Sequence, residues 1–423
     1  MSILDEEEVI EKVYDIKERS ADIYEHSISL CSLATLTGLK MNLPKEKVHD
    51  MAVACLLHDL GLRYLTFNYE NQNLEKLNDY EYVEYKKHPV YGYSSTPDSY
   101  WQSIIDWQKN RHNFDIAREE LAFVPGVVRG VAYAINYFTN RGDKVLIQQP
   151  VYHPFKMVIE GNERVVVNNP LKPTADGYEM DLEHFREVVE TERPKMMILC
   201  NPHNPVGIQW TADVMRQVAK ICRENGVIVV SDEIHGDLML YGKPHIPFVS
   251  VGEDAEAVAI TLGAPSITFN IPGLVSSWMV IKDKKLREPF YNWMSTNEFS
   301  SPTMFATLGA EVAYTHGGEW LNQMIDYIEG SIAMVEDYVA QHIPQIKVVR
   351  PQASFLIWLD CRELNLTQPQ LVELFVKKAH LALNDGTMFG KEGEGFMRLN
   401  VGSPRKVILE ALDHLADAVN TLK

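Results

Sequence analysis

Three short apolar runs constrain this chain most: Lys144–Gln148 (KVLIQ), Met196–Leu199 (MMIL) and Val227–Val230 (VIVV). Each is followed by turn residues and then by a stretch with helical periodicity. A strand that is apolar on both faces has to be covered on both faces, and strands separated by helices run parallel. These residues therefore predict an α/β fold with a mostly parallel sheet between helical layers. Ligands of such sheets gather beyond the carboxyl ends of the strands. Polar residues stand at those ends here, Asn204 in CNPHNPVG and Asp232 closing VIVVSD.

The flanks read differently. Residues 1–90 are expected to be helical: a charged amphipathic stretch over Glu6–Arg19, a buried helix over Ile28–Met41, and another opened by Pro44 and running through Val48–Leu57. This segment carries His26, then His58-Asp59 in LLHDLGL, then His88-Pro89 in KKHPVYG. The pattern resembles the first half of an HD-GYP-type phosphohydrolase domain, H, then H-D-x-G-K, then H-P-x-x-G. The resemblance implies that His26, His58, Asp59 and His88 hold a divalent metal that activates water. Leu62 stands where that family has lysine, and its later ligands do not follow. A structural remnant is the other reading. From about Pro302 a long helical region leads into a smaller α+β part with strands at Ser354–Leu359 and Phe396–Asn400 and a closing helix from Arg405.

Charge and cysteine usage narrow the partners. A formal charge of −18 over 423 residues disfavours nucleic acid and anionic membrane surfaces, both of which attract basic proteins. An anionic small molecule is still allowed, because backbone N–H groups at a helix start can hold one locally. The five scattered cysteines fit reduced thiols in a cytoplasm. The acidic start MSILDEEEVIEK has no signal-peptide pattern, and no run approaches ~18 apolar residues, so no membrane span is expected.

The stretch Thr261–Leu274, TLGAPSITFNIPGL, follows a strand-like run at Ala257–Ile260. It resembles the cofactor-anchoring segment of fold-type-I pyridoxal-phosphate (PLP) enzymes, in the cystathionine β-lyase (C–S lyase) branch of the class I/II aminotransferases, which reads A-P-S-K-T-F-N here. The resemblance runs from about residue 91 to the C-terminus. It implies a PLP-binding large domain over residues 91–300 and a small domain over 301–423. Ile267 occupies the position of the lysine that carries PLP and shuttles the Cα proton. An amine on a flexible stem does both; a branched hydrocarbon does neither.

The same resemblance gives roles to other positions. Asp232, within S-D-E-I-H, matches the carboxylate that keeps the cofactor's pyridine nitrogen protonated; read alone, it is equally a turn or helix-capping aspartate. His235 is a partner behind the cofactor or a histidine at a helix start. Tyr152 in QQPVYHPF matches the ring that stacks on the cofactor, or is a half-buried core tyrosine. Asn204 matches the donor to the cofactor's phenolic oxygen. The turn Phe123–Val128, entering a helix at about Arg129, suits a phosphate bound by the N–H groups of Gly126 and Val127 with the Ser266 hydroxyl. Tyr93 matches a tyrosine lent to the neighbouring subunit's phosphate, which implies a homodimer. Arg398 in GFMRLN matches the arginine that grips a substrate α-carboxylate.

Three functions are consistent with these residues. One is a C–S β-lyase or aminotransferase acting on sulfur-containing amino acids but impaired by Ile267. A second is a protein that binds PLP, or a PLP–amino-acid adduct, noncovalently. The third is a metal-dependent phosphohydrolase at the N-terminus.

Overall fold

The structure is a computed structural model and describes residues 28–32, 34, 35, 39, 44–57, 96–174 and 177–422. It divides into two compact units, Met1–Thr96 and Pro97–Lys423. In the first, the helix opened by Pro44 is present as Lys45–Leu57. The expectation of a buried helix over Ile28–Met41 needs correction: its described residues are helical, but Ile28 and Leu39 are 39% and 56% exposed. Ser29 and Ser32, one helical turn apart, are exposed as well, so a polar side of the helix faces water.

The second unit is built on a seven-stranded sheet. Its strands in chain order are β1 (Leu121–Val124), β2 (Lys144–Ile147), β3 (Val165–Asn168), a small hairpin of β4 (Lys172–Thr174) with β5 (Gly177–Glu179) set apart, β6 (Met196–Cys200), β7 (Ile228–Asp232), β8 (Ala259–Gly263) and β9 (Ser277–Val280). The spatial order is β1-β9-β8-β7-β6-β2-β3. Strands β8, β7, β6, β2 and β3 run parallel, and β9 is antiparallel to both of its neighbours.

The continuous apolar runs behave as burial on both faces requires. In β6 and β7, Met197, Leu199 and Val229 point into one core, with Phe185 and Val188 of the helix Leu182–Glu192 and Met215 and Val218 of Ala212–Asn225. Met196, Ile198 and Val230 point into the opposite core, with Val131 and Ile135 of the helix Val127–Phe138 and Phe290 of Lys284–Thr296. Alternate residues of one strand thus fill two different cores, as a side-chain period of two dictates.

Beyond Pro302 come the helices Met304–His316 and Gly318–His342, followed by an antiparallel sheet of β10 (Lys347–Val349), β11 (Leu356–Asp360), β12 (Asn384–Asp385) and β13 (Phe396–Asn400). The helices Gly318–His342 and Arg405–Asn420 share a third core with it, around Ile332, Ile357, Phe375 and Leu412. Among the described residues no helix is long and apolar enough to cross a membrane.

One close approach ties β8 to the rest of this frame. Gly263 faces Trp278 across the β8–β9 pair, and a Cβ on it would sit 2.2 Å from the indole Cζ2. The indole Nε1 donates to the Tyr314 hydroxyl at 2.9 Å, so the ring has a fixed place. Gly263→Ala is expected to destabilise the protein by about 1–3 kcal/mol, the usual cost of overpacking a filled core. A thermal melt unchanged from wild type would show that the indole moves freely.

Candidate active site

Because β1, β2, β6, β7 and β8 share one direction, the loops that leave them emerge along one edge of the sheet. Their residues line a cavity of about 430 Å³. Strand β1 contributes Pro125 to Val128, the β2 loop Tyr152, β6 Cys200 and Asn204, β7 Asp232 and His235, and the turn after β8 Ile267. Arg398 and Asn400 enter from β13, and Phe355 and Leu356 from the start of β11. The chain thus brings Gly126, Val127, Tyr152, Asn204, Asp232, His235, Ile267 and Arg398 to one place. His26, His58, Asp59, His88 and Tyr93 lie outside the described residues. Among the described residues no group of three His, Cys, Asp or Glu side chains is placed to hold a metal.

Asp232 ends the central strand and is only 4% exposed. Its Oδ1 accepts the Ile234 N–H at 3.1 Å. One backbone donor does not offset the desolvation of a carboxylate, and burial pushes its pKa up to about 7. A cationic N–H donor arriving through the cavity would reverse that. Near it, burial lowers the His235 pKa to about 4, helped by the Arg398 charge, so this imidazole is neutral at neutral pH. Its Nδ1 is buried and without a partner.

Arg398 is positioned by two amides. Its Nη1 donates to Asn204 Oδ1 at 2.8 Å and its Nη2 to Asn384 Oδ1 at 2.7 Å. The same bond orients Asn204: with Oδ1 occupied, its NH₂ group is the end left to donate. Burial lowers the guanidinium's pKa to about 10, which leaves it charged, and its buried Nε has no partner. Burial and the nearby Asp232 carboxylate raise the Tyr152 hydroxyl, which therefore stays protonated on the cavity wall.

The turn after β8 forms as a short helix, Pro265–Thr268. Successive residues of a helix point about 100° apart. Ile267 reaches the cavity of Asp232, whereas Ser266 lines an adjoining cavity with Trp320, Met324 and Tyr327. Ser266 is thus among the lining residues of the adjoining cavity, which shares Ile267, Phe355 and Asn400 with the first. No lysine is among the described residues that line the first cavity.

Asp237 is the residue that sequence reasoning passed over. It is buried and accepts Trp107 Nε1 at 2.8 Å, His112 Nε2 at 2.7 Å and Thr268 Oγ1 at 2.8 Å. Burial alone would raise its pKa, but these donors, His112 foremost, hold it below the ordinary carboxylate range. It thereby pins the residue next to Ile267. The local signal was a third acidic residue, after Asp232 and Glu233; its partners lie up to 130 residues away in sequence and cannot be read locally.

Residues 73–415 match the family described as aminotransferase class I and II. The chain belongs to that family. The match begins at residue 73, nearer the N-terminus than the resemblance read from about residue 91. Among curated members of the aminotransferase class I and II family, the chain is 38% identical to cystathionine beta-lyase PatB of Bacillus subtilis, over 79% of this chain and 86% of that one. It is 32% identical to protein MalY of Escherichia coli, again over 79% and 86%. Among solved members it is similar to cystalysin from Treponema denticola, which contains a pyridoxal 5'-phosphate cofactor, at a TM-score of 0.75 and 34% identity over 80% and 86% of the two chains. The PLP-bound C-S lyase from Staphylococcus hominis gives a TM-score of 0.73 and 30% identity over 78% and 86%. The fold is the fold-type-I fold of PLP enzymes.

The buried Asp232 carboxylate generates a prediction for the ligand-free protein. Its folded pKa lies above the unfolded value, so its penalty is absent below about pH 4 and complete above about pH 7. The stability of Asp232→Asn relative to wild type should therefore rise as pH increases from 4 to 8. Melting curves whose difference does not change over that range would contradict the assignment.

Proposed function

We propose that this chain holds pyridoxal phosphate noncovalently in a C–S lyase-type site and is impaired in β-elimination from sulfur-containing amino acids. The observation that carries the reading is the wall of the cavity: Ile267 stands at the tether position, and no lysine is among the described lining residues. The remaining residues suit the cofactor. Asp232 is a buried carboxylate that lacks a cationic partner. Asn204 has an amide free to donate to an oxyanion, and Tyr152 offers a ring face. Gly126, at φ 132°, lets the chain turn sharply from β1 into the start of a helix, where first-turn N–H groups suit a phosphate.

Bound pyridoxal phosphate supplies an electron sink for carbanion chemistry. Arg398 would pair with the carboxylate of an amino acid, its guanidinium already steadied by Asn204 and Asn384. Among the described lining residues no strong base is offered for the Cα proton. Ile267 has none to offer, burial lowers the pKa of the His235 imidazole on the wall to about 4 and makes it a weak base, and Asp232 is needed at the ring nitrogen. Loss of a positioned base costs roughly 10²–10⁴-fold in rate. Membership in a homodimer, with Tyr93 serving the neighbouring site, belongs to the same proposal. Binding of a preformed cofactor–amino-acid adduct is the accompanying reading, favoured by the unpaired Arg398 Nε beside the cofactor pocket.

Ile267→Lys, given pyridoxal phosphate, is expected to release pyruvate from cystathionine or cysteine at least about 10²-fold faster than wild type. The wild type should lose its bound cofactor on extended dialysis. Equal pyruvate release by the two proteins would contradict the impairment.

A further inference from the structure

The phosphate end of the same pocket carries a second unusual feature, and the inference from it rests on the reading that pyridoxal phosphate binds there. The helix Val127–Phe138 begins without the usual support. Its N-cap is Gly126, no side chain caps it, and no acidic residue lies in its first turn. First-turn N–H groups and the positive end of the helix dipole ordinarily attract an acceptor or a negative charge. The third helical position is instead Arg129. Its Nη1 donates to the Pro125 carbonyl at 3.1 Å, so the guanidinium folds back over the N-terminal turn, in the direction helix side chains lean.

A cation held against the positive end of a helix is electrostatically unfavourable by itself. It becomes favourable once an anion lies between them. Arg129 lines the cavity beside Gly126, Val127 and Asp232. That cavity is built for a polar guest: His235 is 6% exposed with its Nδ1 unpartnered, and Asp232 is 4% exposed with one backbone donor. The other guanidinium on the wall, Arg398, is engaged by Asn204 and Asn384, whereas Arg129 bonds a neutral carbonyl.

We propose that Arg129 is a phosphate-binding residue, gripping the cofactor's phosphate together with the N–H groups of the first helical turn. A guanidinium suits a phosphate because its planar fork matches two oxygens at once. In a pocket without a covalent tether, this contact carries a larger share of cofactor retention than it would beside a lysine.

The test compares two ligands on two proteins: pyridoxal phosphate and pyridoxal, each titrated into wild type and Arg129→Gln by equilibrium dialysis with absorbance readout. Arg129 is exposed, so the variant should fold. The expected result is a loss of about tenfold or more in affinity for pyridoxal phosphate, with pyridoxal affinity unchanged. An unchanged affinity for both ligands, or an equal loss for both, would overturn the role of Arg129. Failure of the wild type to bind either aldehyde would overturn the pocket reading itself and the role of Arg129 with it.

Discussion

A carboxylate at the end of the central strand, removed from water and given one backbone donor, is the constraint around which this site is organised. Asp232 cannot be paired from within its own strand, because β6 and β8 occupy the neighbouring ladder positions with backbone and apolar side chains. Its partner has to come through the cavity. The loops from β1, β2, β6 and β8 open toward the same space because the sheet gives those strands one direction. A parallel sheet thus concentrates its unsatisfied polar groups at one edge, and the pocket follows from that.

On the proposed reading, the anchor turn keeps its geometry with Ile267 where a nucleophile would stand. Thr268 is held by Asp237, which is itself fixed by Trp107 and His112 from the helix Asp98–His112. Trp278 packs on Gly263 just before the turn. None of these contacts depends on the residue at 267. An amine at 267 would therefore find the same hydrogen-bonded frame around the turn. In the proposed pocket, retention of a phosphorylated cofactor would depend on the helix start at Val127 and on the buried polar groups of the wall.

How much of this was legible in the sequence depended on whether the signal was local. The continuous strands were, since burial on both faces leaves a run of hydrocarbon; Phe396–Asn400 occurs with the expected ends. The strand read at Ala257–Ile260 begins at Ala259, because Val258 still donates to Ala255 and completes the preceding turn. The strand read from Ser354 begins at Leu356, after Ser354 adopts a φ of 77°. The helix expected at about Arg129 starts at Val127, since Gly126 turns the chain within one residue. Among site residues, Asp232, Asn204 and Arg398 were legible through a resemblance carried by short motifs. The Asn204–Arg398 bond, which spans 194 residues, and the Asp237 network were not, because long-range pairs leave no periodic trace.

The proposed pocket holds its cofactor without a covalent link to the chain. Wild-type protein loaded with pyridoxal phosphate, reduced with borohydride and digested for peptide mass mapping, tests it most directly. No peptide bordering the cavity should carry a phosphopyridoxyl group. A stoichiometric label on a lysine that reaches the pocket would contradict the account.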